Sequence, residues 1–451
     1  QACMTAVDRR HGCGLLLPLL LLAQALATAR SVSLLRRGRS FQANVDYKLE
    51  LKNVLGVQYH GTFRAGDQEL PVIYDTGSWE IVLLSKLCGD SCTRGKVVYH
   101  ANLSTSFVTS DDVMKVQYAG GSVSAKQGFD SVSFGDKDSP YTAKNMSIGQ
   151  VVEHQIPVWK TARFSGIIGL GHTRHMPEGF REPPDLTPDE LMLPAMGIDM
   201  FSICLERGIA TPGWMAMGPK ATPVSKLSAR VLSMALARKV QALAAGPGFA
   251  SVPVVGEVHW GISVSGVQAE GLGVSDPCLF GCGAIIDSGT SFIAAPPSAR
   301  LLTDAIKKKL KRDCSNLDEL PVLRLQLEGG VVVELPPLAY ILKLSRGCRT
   351  GFVELDVTSK QGPVWVLGMP FLRYYYTVFD RSSMRIHIAP STPGCEPILT
   401  PETASNATAP HFAAAGGGLY AKRAFSPADF EAMETDMDEA LPPPASKFFV
   451  F

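Results

Sequence analysis

One short pattern occurs twice in this chain, and it constrains the fold more than any other feature. Val72-Ile73-Tyr74-Asp75-Thr76-Gly77-Ser78 and Ala284-Ile285-Ile286-Asp287-Ser288-Gly289-Thr290 both run from an apolar strand into Asp-(Ser/Thr)-Gly-(Ser/Thr). Each copy has its own echo downstream. Phe164-Ser165-Gly166-Ile167-Ile168-Gly169 ends 94 residues after Asp75, and Trp365-Val366-Leu367-Gly368 ends 81 residues after Asp287. From average residue usage, one such tetrapeptide arises by chance in about 2 to 3% of chains of this length, so two with matched flanks mark an internal repeat. Each half therefore reads as strand, carboxylate turn, intervening strands, then apolar-apolar-Gly.

The residue types point to acid-base chemistry. Glycine after Asp-(Ser/Thr) lets the backbone turn tightly and presents the carboxylate at the end of a rigid strand. The hydroxyls can donate to the Asp oxygens and hold them in one orientation. If the two turns meet across a pseudo-twofold axis, both carboxylates cannot ionise together, and they share a proton. One then serves as base toward a water held between them while the protonated member polarises a carbonyl. The bland alternative is two Asp side chains that merely cap turns.

Composition is compatible with that picture. The chain has 451 residues, with 43 Lys plus Arg against 42 Asp plus Glu, so the basic footprint of a nucleic-acid binder is absent. With 46% apolar and 19% charged residues it is no disordered polyelectrolyte, and 42 Gly and 31 Pro favour strands and turns. Arg9, Arg10 and His11 precede a short apolar run, Gly14 to Ala23, and a small-residue stretch ending at Ala29. This reads as a secretory signal peptide over 1–29, the alternative being a buried helix or an uncleaved anchor. No later stretch reaches the roughly 18 apolar residues of a membrane span. Sequons at Asn102, Asn145 and Asn406 are compatible with a secretory route.

Ten cysteines include Cys3 and Cys13 in the leader. Cys88/Cys92 and Cys278/Cys282 are C-x3-C pairs. Half zinc sites are disfavoured because the flanking sequence offers no convincing His ligand, and small disulfide loops are the expectation. Cys314 and Cys348 form the natural third pair. Cys204 lies in an apolar, strand-like run and reads as a buried thiol, the alternative being a bond to Cys395 that no sequence signal supports.

From about Tyr59 to Pro390 the sequence resembles the pepsin-like aspartic proteases. The two Asp motifs and their apolar-apolar-Gly partners carry the resemblance, and Val116-Gln117-Tyr118-Ala119-Gly120-Gly121-Ser122 looks like the family's flap, with Tyr118 43 residues after Asp75. Val252-Pro253-Val254 with Trp260, and the run Phe371 to Arg381, are similar to the opening and closing strands of the family's second lobe. The resemblance implies an all-β, bilobal pepsin-like fold with pseudo-twofold lobes, over 47–205 and 206–390. It implies Asp75 and Asp287 as a catalytic dyad, supported by Ser78, Thr290, Gly77 and Gly289. Tyr118 would be the flap aromatic, read otherwise as a packing tyrosine, and Ile73, Phe164 and Ile167 would wall the cleft, read otherwise as plain core. Cys88/Cys92, Cys278/Cys282 and Cys314/Cys348 fall where the family places three bridges, whereas Cys204 and Cys395 have no counterpart.

Two departures stand out. Val82 occupies the position where the family has a tryptophan that bonds the flap tyrosine, and Trp79 is not an obvious substitute; Gly120 replaces the usual flap threonine. Outside the resemblance, the basic stretch in 30–46 reads as a short pro-segment or a plain arm, with Arg36-Arg37 as a candidate processing site. An Ala-rich, helix-favouring insertion spans 225–245, and a Pro, Ala and Gly-rich tail covers 391–451, with a weak helix over 427–441. The expected activity is a monomeric endopeptidase of the secretory pathway, secreted or in an acidic vesicle. It would cleave polypeptide substrates between bulky apolar residues with no metal and no cofactor. The rival class is a catalytically inactive binding module on the same fold.

Overall fold

The computed structural model describes residues 47–398, other than 90–91, 93–94, 119, 161, 173–190, 209–210, 219–248 and 345–346, together with the backbone of 411–412. The expected leader, the basic stretch before residue 47, the 225–245 insertion and the helix expected over 427–441 lie outside the described residues. Among the described residues no helix is long and apolar enough to cross a membrane.

Two large sheets carry the fold. Among the described residues the first has thirteen strands. One end of it is antiparallel and runs Ala250–Pro253, Arg385–Pro390, Tyr375–Asp380, Met200–Leu205, Gly213–Met217, Tyr47–Val54, so strands from both halves of the sequence share it. It continues through Gln58–Ala65 and Gln68–Asp75 into strands of the first half only. The second sheet has nine strands among the described residues, all from the second half. This is the all-β, two-lobed architecture expected.

The sequence repeat is a repeat of topology. Gln68–Asp75 lies parallel to Gly166–Gly169, placing Asp75 opposite Gly169. Ile81–Leu84 then pairs antiparallel with the same strand and parallel with Thr142–His154. In the second half Cys282–Ile286 lies parallel to Gly362–Leu367, Ile293–Ala295 pairs antiparallel with that strand, and Phe352–Glu354 lies parallel beyond it. Both apolar-apolar-Gly echoes are thus the middle strand between the two limbs of a carboxylate turn. Gly166–Gly169, Cys282–Ile286 and Ile81–Leu84 are buried along their whole length, which is why they read as unbroken apolar runs. Gln58–Ala65 and Leu323–Leu327 have more solvent on one face and alternate instead.

One apolar cluster runs through both halves, from Leu49 and Phe63 past Trp260 to Ile388. A second lies beneath the hairpin Val108–Tyr118/Gly121–Phe134 and includes Ile73, Val82, Val116, Val123, Trp159, Phe164 and Ile167.

Among the described residues four disulfides close the structure: Cys88–Cys92, Cys278–Cys282, Cys314–Cys348 and Cys204–Cys395. The last corrects the reading of Cys204 as a thiol. After Pro390 the chain folds back through the Ser391↔Pro397 bridge and a turn in which the Cys395 amide donates to the Thr392 carbonyl, bringing the two Cα atoms within 5.7 Å. Cys204 and Cys395 are 191 residues apart in sequence, and nothing local in either marks the pairing. His154, far from this pair in the sequence, brings a ring nitrogen within 4.8 Å of the Cys88 and Cys92 sulfurs. Bridged sulfurs carry no thiolate for a metal.

Candidate active site

The two carboxylates arrive at one place by equivalent routes. Asp75 Oδ1 accepts from the Gly77 amide at 2.9 Å and Oδ2 from the Ser78 hydroxyl at 2.6 Å. Asp287 Oδ1 accepts from the Gly289 amide at 2.7 Å and Oδ2 from the Thr290 hydroxyl at 2.5 Å. Each carboxylate is therefore oriented by its own turn, with one amide and one hydroxyl.

The glycines matter for a reason the sequence reading missed. Neither Gly77 nor Gly289 has the positive φ that only glycine takes easily. Space is the constraint: a Cβ on Gly77 would sit 2.8 Å from Asp287 Cγ, and one on Gly289 would run into the Asp75 carboxylate. Each glycine thus lies against the carboxylate of the other turn, and any side chain there would drive the pair apart.

Thr76 and Ser288, the second positions of the two motifs, lock the turns together. The Thr76 hydroxyl donates to the Ile286 carbonyl at 2.8 Å and accepts from the Ser288 amide at 2.9 Å. Ser288 reciprocates, donating to the Tyr74 carbonyl at 2.6 Å and accepting from the Thr76 amide at 3.1 Å. Both side chains are buried. The signal was present in the sequence, because the second motif position carries a hydroxyl in both copies.

Electrostatics follow from this proximity. Burial first, and then the Asp287 charge and its hydrogen bond, hold the Asp75 carboxyl well above the usual carboxylate range, against the opposing bonds from Ser78 and Gly77. The pair can carry one proton across the range where free carboxylates have lost theirs. An acid and a base then stand side by side, an arrangement suited to activating water toward a polarised carbonyl.

Around the pair, Tyr118 ends the first flap strand and pairs with Gly121, leaving Gly120 exposed at the turn with open space where a side chain would go. Tyr118 packs against the cluster holding Ile73, Phe164 and Ile167, so the structure brings these four together. Val82 is fully buried in the same cluster. Trp79 turns away from the flap: its indole N–H donates to the Val258 carbonyl at 3.1 Å and its ring stacks at a tilt on His259, 4.8 Å between centroids. Buried His172 donates from Nε2 to the His259 carbonyl at 2.5 Å, and Trp260 Nε1 donates to Leu170 at 2.9 Å, so a belt of aromatic residues joins the halves beside the first turn. Glu80 and His259, both buried close to the turns, carried no distinguishing sequence signal.

The model of the eukaryotic aspartyl protease family matches residues 58–391. Cathepsin E of Rattus norvegicus is 30% identical over 379 residues, covering 78% of this chain and 85% of that protein. Pepsin A of Bos taurus is 27% identical over 352 residues, covering 75% and 86%, and cathepsin D of Clupea harengus is 29% identical over 360 residues, covering 76% and 83%.

Proposed function

The chain belongs to the eukaryotic aspartyl protease family, and from that premise we propose that it is an endopeptidase whose reacting groups are Asp75 and Asp287. The observation that carries this reading is the reciprocal contact of the two turns, each glycine against the opposite carboxylate with both carboxylates held in hydrogen bonds. An extended peptide in the cleft would use its main-chain groups as an added strand does. Asp287 takes a proton from the water between the carboxylates as the water oxygen attacks the peptide carbonyl carbon, and Asp75 gives its proton to the carbonyl oxygen. Collapse of the resulting gem-diol breaks the C–N bond, with a proton passing to the leaving nitrogen. Ser78, Thr290, Gly77 and Gly289 keep the carboxylates in register.

Ile73, Phe164 and Ile167 beside Tyr118 favour bulky apolar side chains flanking the cut. The four disulfides support an oxidising, secretory setting, either secreted or in an acidic vesicle. The chain would act as a monomer.

Cleavage of an apolar-flanked peptide at acidic pH, compared between wild type and Asp287→Asn, tests the assignment. A loss of about 10²–10⁴-fold is expected from removing the base. Equal rates would end the enzymatic reading in favour of a binding module.

A further inference from the structure

Within the cluster beneath the flap, two polar atoms among the described residues are buried without a hydrogen-bond partner: the Tyr118 hydroxyl and the Trp159 indole nitrogen. Buried donors and acceptors are nearly always paired, so two orphans in one apolar cluster call for a common explanation. The backbone brings them to the same end of the hairpin. Tyr118 pairs with Gly121; the next residue, Ser122, accepts from the Gln155 amide at 2.8 Å; and the chain from Gln155 leads directly into the turn Pro157–Lys160 that holds Trp159. The indole is 1% exposed. It meets His154 edge to face at 5.0 Å and tilts against Phe164 at 6.3 Å between centroids, which fixes its ring under the flap.

The chemistry of the two atoms is complementary. An indole N–H can only donate, whereas a phenol both donates and accepts. Burial, then the charges of Glu80 and Asp75, push the Tyr118 phenol well above its ordinary range, so it keeps its proton and has a lone pair to offer.

We propose that Trp159 is a positioning residue for the flap: its indole N–H donates to the Tyr118 hydroxyl when the hairpin closes on a bound peptide, leaving the phenol proton directed toward that peptide. The inference rests on the reading of this cleft as a peptide-binding site. Val82, buried in the same cluster, has no polar atom that could take this part.

The test uses the whole chain and a statine-containing peptide as probe, with Trp159→Phe, Tyr118→Phe and the double variant, each checked by thermal unfolding. Binding is measured by calorimetry, and kcat and KM on a cleavable peptide are measured beside it. Each single variant should lose about tenfold in affinity and in kcat/KM, and the double variant no more than either alone, as for two ends of one hydrogen bond. Losses that multiply in the double variant, or a Trp159→Phe protein equal to wild type, overturn the proposal. An independent readout is the indole ¹⁵N–H resonance of Trp159, which should move downfield when the probe binds wild type and stay in place in Tyr118→Phe. An unmoved resonance in probe-bound wild type overturns the proposal while leaving the peptidase reading intact. Failure of wild type to bind the probe at all overturns both.

Discussion

Asp75 is the residue at which the conflict between folding and chemistry is sharpest. Its folded pKa is raised by burial and by Asp287, so the folded state holds a proton that the unfolded chain releases near its ordinary value of about 4. Between that value and the raised one the folded state binds more protons, so this carboxyl lowers stability as pH rises from acid toward neutral. Asp75→Asn removes the dependence. The variant should gain a few degrees in melting temperature at neutral pH and nothing near pH 3, read by calorimetry at both. His259 has the opposite sensitivity. Burial, then His172, lower it to about 4, so its contribution is whole above about 6.5 and is lost as pH falls through 4. An NMR titration of its ring should show a midpoint near 4, and a midpoint near 6.5 would contradict the burial described.

At the scale of elements, the working unit is a pair of turns rather than a pair of residues. Thr76 and Ser288 each bond the backbone of the opposite strand, so the carboxylates keep their spacing only while both turns stay engaged. Thr76→Ala should cost about 1–3 kcal/mol, the usual penalty for orphaning buried partners. It should also lower kcat more than it raises KM, whereas Thr76→Ser, which keeps the hydroxyl, should restore most of both. Denaturant unfolding and peptide kinetics on the two variants would decide. The strands behind the turns were readable: apolar runs marked the strands that lead into Asp75 and Asp287. The bonds between the turns were not, because a hydroxyl after Asp looks the same whether it faces its own carboxylate or a carbonyl more than two hundred residues away.

For the molecule as a whole, the antiparallel sheet shared by both halves bears the closing strands of the body. Cys204–Cys395 ties the segment after the last of them back to Met200–Leu205. Opening that bond with Cys395→Ser should lower stability by about 2–4 kcal/mol, the usual range for a native disulfide, measured as a lower denaturant midpoint. In the same sheet Asp380 is buried, which raises its pKa, yet His387 at 3.6 Å and the hydroxyls of Ser382 and Ser383 outweigh burial and hold it below the usual range. A depressed carboxyl contributes above its unfolded value and loses that contribution only as pH falls through the folded one. The sheet is therefore held together under mild acid, where the proposed chemistry would run.

The sequence by itself determined that the chain carries a duplicated unit with two equivalent carboxylate turns, because a repeated tetrapeptide with matched apolar flanks is a local signal that survives without coordinates; the all-β fold came with the family resemblance those motifs carry. Tertiary structure alone decided which groups share the space between those turns: Gly77 against Asp287, Thr76 against Ile286, Trp79 turned toward Val258, and Trp159 beneath the flap. Those contacts join residues far apart along the chain, and their partners are chosen by packing geometry, which leaves no periodic or compositional trace in the order of the residues.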